Sequence, residues 1–94
     1  MTFREALVAI NPATGLTIDH YPVLDLDEID ASVLGCHRAH KAWEIVGFQQ
    51  RAELLQRLAG RLEDQRDDLA RLITGEMGKP LAQAGAEIDK CAWV

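Results

Sequence analysis

Residues 76–94 read EMGKPLAQAGAEIDKCAWV, and the break at Gly78-Lys79-Pro80 decides how the chain is partitioned. Glycine permits a positive φ just past a helix end, and proline suits the first turn of the next helix, so one helix closes before the break and another opens after it. In the second helix Leu81, Ala84, Ile88 and Cys91 or Ala92 recur at helical spacing. The sequence then reaches Trp93-Val94 with no capping residue, glycine or polar tail. This pattern predicts a chain cut inside an element at residue 94.

Upstream of the break, Gly47 suits an N-cap for a long helix starting at Phe48, with Leu54, Leu55, Leu58, Ala59 and Leu62 on one face. A second apolar set, Leu69, Leu72, Ile73 and Met77, is offset from the first, so this helix bends or restarts near residues 65–68. The other face alternates in sign through Arg51, Glu53, Arg57, Arg61, Glu63, Asp64, Arg66, Asp67 and Asp68. That is the pattern of a solvated face with several i to i+4 pairs rather than a binding patch. Further upstream, Asp25 and Glu28 have capping-box spacing and are both favourable at the positive end of a helix dipole. The helix they begin carries Ile29, Val33, Cys36 or His37, His40, and Trp43 or Ala42 along one stripe. Gly35 interrupts it at a cost of about 1 kcal/mol relative to alanine, which suggests a neighbour approaching closely there.

The N-terminal part reads as a β-hairpin. Ala6-Leu7-Val8-Ala9-Ile10 is a short apolar run, Asn11-Pro12-Ala13-Thr14-Gly15 is turn chemistry, and Leu16 to Tyr21 is a second run that Pro22 limits. A two-stranded hairpin is marginal alone in water and must lie on something. No internal repeat, low-complexity stretch or linker is evident.

Ninety-four residues with 15 acidic and 10 basic side chains give a formal net charge of −5. That length allows one domain at most, and the acidic balance argues against a nucleic-acid backbone or an anionic membrane as partner. No apolar run approaches the ~20 residues that span a bilayer, and residues 1–5 lack a basic n-region followed by a long apolar run. A cytoplasmic location is expected. Without an export signal, Cys36 and Cys91 are expected to be reduced rather than paired.

Few residues carry a case for chemistry. Cys36 sits in a helix interior beside histidines, yet an activated thiolate normally occupies a helix N-terminus or exposed turn, and Cys91 has the same mid-helix setting. Both read better as small packed side chains. His37 and His40 are three residues apart, but no third metal ligand sits at a sensible spacing. Gly78-Lys79-Pro80 resembles a phosphate loop only superficially, because proline follows the lysine and neither a glycine-rich loop nor a strand leads in. Glu76 and Glu87 fall on different helices, which weakens them as a general acid and base. No residue is therefore assigned as catalytic, cofactor-binding or metal-ligating.

Four blocks, in this order and spacing, resemble the N-terminal portion of the aldehyde dehydrogenase superfamily. They are Asn11-Pro12-Ala13-Thr14-Gly15, Arg51-Ala52 at the head of a leucine-rich helix, Glu76-Met77-Gly78-Lys79-Pro80-Leu81, and Glu87-Ile88-Asp89-Lys90-Cys91-Ala92. The likeness is greatest to bacterial succinate-semialdehyde dehydrogenases. It implies an α/β parent enzyme of several hundred residues that uses NAD or NADP on a small aldehyde and forms a homo-oligomer. Residues 1–94 would be an incomplete N-terminal part of its cofactor-binding domain. The hairpin would pack on the edge of that domain, and the helix from Leu81 would lie near the substrate channel. The family nucleophile lies in a Gly-Gln-x-Cys loop, which neither Cys36 nor Cys91 matches, and the family's active-site glutamate also lies downstream.

The segment itself is expected to be mostly α, with a hairpin near 5–22 and helices near 26–44, 48–66, 67–77 and 81–94. Its partner would be the remainder of the enzyme chain. Alone it is expected to be inactive and without cofactor, to expose Leu54, Leu58, Leu62, Ile88, Trp93 and Val94, and to self-associate or depend on a partner. The alternative from another class is a free-standing small helical interaction module, which a reading frame continuing into aldehyde dehydrogenase motifs would rule against.

Overall fold

A computed structural model describes residues 5–94; the reading of residues 1–4 lies outside the described residues. Two strands, β1 (Ala6–Ile10) and β2 (Thr17–Pro22), precede four helices, α1 (Leu26–Glu44), α2 (Phe48–Asp64), α3 (Arg66–Met77) and α4 (Leu81–Trp93). The mostly helical segment with an N-terminal hairpin is as the sequence predicts.

The hairpin forms because Asn11 closes its turn twice over. Its side-chain oxygen accepts from the Ala13 amide at 2.9 Å, and its carbonyl accepts from the Gly15 amide at 2.8 Å. Gly15 takes the left-handed φ of 73° that the turn requires. The strands pair antiparallel from Ala6↔Pro22 to Ala9↔Asp19, and a register shift then brings Ile10 opposite Thr17. Ile18 is the extra residue of this bulge, and bulges re-aim side chains. Its Cδ1 lies 4.0 Å from where a Cβ would stand on Gly75 of α3. Pro12 likewise approaches Gly78, to 3.1 Å from the corresponding point. The hairpin thus rests on the end of α3 and the turn beyond it.

Helix α1 starts with the capping box complete. The Glu28 amide donates to Asp25 Oδ1 at 2.8 Å and the Asp25 amide donates to Glu28 Oε2 at 2.9 Å, which satisfies two otherwise orphaned donors. No residue of α1 is buried. The close neighbour expected at Gly35 is not found, for a Cβ there would meet nothing within 4 Å.

Gly47 caps α2 as predicted. The predicted restart falls at Gln65, which ends α2 and begins α3, so the second boundary lies at Asp64 rather than residue 66. Gly78 closes α3 in the left-handed region at φ 72° and donates to the Thr74 carbonyl at 2.9 Å. Pro80 is the N-cap of α4 rather than its first helical residue. Its extended ψ places it just outside the helix, with Leu81 at N1.

The core is confined to α3 and α4. Ala70, Ala84 and Ile88 are buried, as is Gly85. Ile88 was expected on the exposed face, but α4 turns it inward. Gly85 is small because Arg66 crosses it: a Cβ there would stand 2.6 Å from a guanidinium nitrogen. The same guanidinium grips Asp89 with two bonds, Nε to Oδ1 at 2.6 Å and Nη2 to Oδ2 at 3.0 Å. Arg66 is therefore an interhelix tie rather than a member of the solvated charged face. The i to i+4 ion pairs expected along that face are likewise not seen among the described residues. Asp68 and Arg71, at i to i+3 and 3.9 Å, are the nearest approach to that pattern.

The hydrogen bond from Arg66, helped by its charge and opposed by partial burial, holds the Asp89 carboxyl below the usual carboxylate range. A group with a depressed folded pKa adds stability above its unfolded pKa and loses it as pH falls through the folded one. Two substitutions separate these features. Gly35→Ala should stabilise the chain by about 0.5–1 kcal/mol through helix propensity alone. Gly85→Ala should gain no such increment, because the methyl group drives the guanidinium off Asp89. Urea unfolding with NMR titration of Asp89 checks both. The account predicts that the Asp89 carboxyl returns toward its ordinary range in Gly85→Ala and stays depressed in Gly35→Ala.

Candidate functional site

The residues with a claim to chemistry gather at the α3–α4 corner, and there they are already engaged. Lys79, from the phosphate-loop-like turn, forms an ion pair with Glu87 two turns along α4. That pairing neutralises the ammonium an anion would need. Glu76, at the end of α3, carries its charge beside the Tyr21 phenol of the hairpin. Partial burial first, then the charges of Glu76 and Asp19, raise that phenol above its ordinary pKa. Glu76 and Glu87 therefore serve in separate ties, one between hairpin and α3 and one across the turn. A general acid and base would have to share a reacting centre, and these do not.

A cleft of about 410 Å³ between the start of α3 and the start of α4 contains Arg66 and Arg71. Two guanidiniums at a helix start could receive an anion. Here Arg66 is held by Asp89 and by Asp67 at 3.3 Å, and Arg71 lies 3.9 Å from Asp68. Carboxylates of the same chain take the positions an anion would occupy.

Cys36 and Cys91 are both free and exposed. Cys36 lies mid-helix in a shallow depression with Ala39, His40 and Trp43, and the exposure of both cysteines corrects the reading of them as packed side chains. Cys91 borders a cleft of about 390 Å³ between α2 and the last turn of α4. His40 lies 3.5 Å from Glu44. No group of three His, Cys, Asp or Glu suited to a metal is found among the described residues, and no helix among them is long and apolar enough to cross a membrane.

Two further clefts run along α2. The 390 Å³ cleft is lined chiefly by Leu55, Leu58, Leu62, Trp93 and Val94. A second, of about 260 Å³, is lined by Trp43, Phe48, Arg51, Ala52 and Leu55. Their lining suits apolar polypeptide far better than a pyrophosphate, which needs a strand end leading into a helix N-terminus. Sequence reading missed the Lys79–Glu87 and Arg66–Asp89 ties because their partners are 8 and 23 residues apart. Periodicity within one helix reports only neighbours three and four apart. The one local signal was Gly85, buried in the middle of α4.

Residues 2–94 match the sequence profile described as "Aldehyde dehydrogenase family". A 3-sulfolactaldehyde dehydrogenase from Pseudomonas putida is 43% identical over 89% of this chain and 17% of its own length. An NADP(+) succinate-semialdehyde dehydrogenase from Mycobacterium tuberculosis is 41% identical over 92% of this chain and 19% of its own. Among solved structures, an NADP-dependent enzyme of Escherichia coli superposes with a TM-score of 0.89 at 39% identity, over 94% of this chain and 18% of that one. An NADP-dependent glyceraldehyde-3-phosphate dehydrogenase from Bacillus halodurans, complexed with NADP, superposes at 0.90 with 30% identity and the same coverage. The chain spans about a fifth of the length of the curated relatives it matches. With the four sequence blocks falling on the hairpin turn, the head of α2, the α3–α4 corner and α4, the chain belongs to the aldehyde dehydrogenase family.

Proposed function

We propose that these residues are the N-terminal part of the cofactor-binding domain of a cytoplasmic, homo-oligomeric, NADP-dependent aldehyde dehydrogenase. Its substrate is an aldehyde bearing a second, anionic group, and succinate semialdehyde is the compound to test first. The substrates in the relatives' names support this class. Sulfolactaldehyde carries a sulfonate, succinate semialdehyde a carboxylate and glyceraldehyde 3-phosphate a phosphate. The names of the succinate-semialdehyde and glyceraldehyde-3-phosphate dehydrogenases favour NADP over NAD.

The observation that carries the reading is how little of itself the chain covers. A compact protein of 10.4 kDa exposes about 5400 Å², whereas this one exposes 8000 Å². Its radius of gyration is 17.7 Å and its thinnest dimension 14 Å, against a radius near 12 Å for a compact domain of this length. Leu58, Trp93 and Val94 stand 53%, 85% and 90% exposed. Such a slab argues against a free-standing interaction module and for one layer of a larger enzyme.

In that enzyme the thiolate attack, the hydride transfer to the nicotinamide and the activation of water fall to groups outside these residues. The part played by this segment is architectural. Its hairpin and the α3–α4 corner form a tied unit against which the domain packs.

A longer reading frame containing these residues, once expressed, should reduce NADP in the presence of succinate semialdehyde, and the isolated 94-residue chain should show no saturable calorimetric binding of NADP or NAD. Binding by the isolated chain would contradict the reading. In the longer protein, Cys36→Ser and Cys91→Ser should leave turnover within a few fold, since Cys36 lies mid-helix and Cys91 in the last turn of α4, neither at a helix N-terminus. A loss on the order of a thousandfold, as for a deleted nucleophile, would place one of them at the reacting centre.

A further inference from the structure

We draw no further inference here: the strongest candidate, the cleft between the end of α1 and the start of α2 where Arg51 Nε is buried without a hydrogen-bond partner beside Trp43, Phe48 and Leu55, belongs to the apolar face of α2, and nothing in the structure shows what covers it.

Discussion

The contact between α3 and α4 is the constraint on which the rest of this structure depends. Every buried side chain among the described residues belongs to it: Ala70 from α3, and Ala84 and Ile88 from α4. Small residues let the two backbones approach closely, and Ile88 contributes on the order of 2 kcal/mol of apolar burial. The Arg66–Asp89 tie adds direction more than energy, because both partners are substantially exposed and such pairs are worth little. Its value is geometric. A planar guanidinium held by two bonds and lying over Gly85 admits one relative placement of the helices.

The hairpin and α2 are attached to that pair. The hairpin leans on it through Ile18 and Pro12 and brings the Tyr21 phenol beside the Glu76 carboxylate, and α2 reaches it through α4. Helix α1, with the best cap in the molecule, has no buried residue. Good local signals and absent tertiary cover coexist there because capping acts on a helix end while stability comes mostly from packing an apolar face. A thin slab with a tied centre and bare flanks is what one layer of a larger domain looks like. The ionisable groups that converge among the described residues hold elements together, Arg66 with Asp89 and Lys79 with Glu87.

Elements whose ends are written in short-range chemistry were legible in the sequence. Asn11 through Gly15 specify the turn, Asp25 and Glu28 the start of α1, Gly47 the start of α2, and Gly78 the end of α3. The offset between the Leu62 and Leu69 sets located the break near Gln65. Relations between elements were not legible. Gly35 and Gly85 are both glycines inside helices, and only the fold tells that the first faces open space and the second a guanidinium. Arg66 looked like one more surface charge because its partner is 23 residues away. Ile88 looked exposed because the sequence does not say which side of α4 meets α3. For chemistry the sequence offered exclusions alone, and the family came from the likeness of its four blocks.

Native-state hydrogen exchange tests the central claim most directly, since it ranks local stability residue by residue. The account predicts the slowest amides in the middle of α3 and α4, around Ala70 and from Ala84 to Ile88, with the hairpin and α1 exchanging far faster despite the complete capping box. Protection of α1 equal to or greater than that of α4 would contradict it.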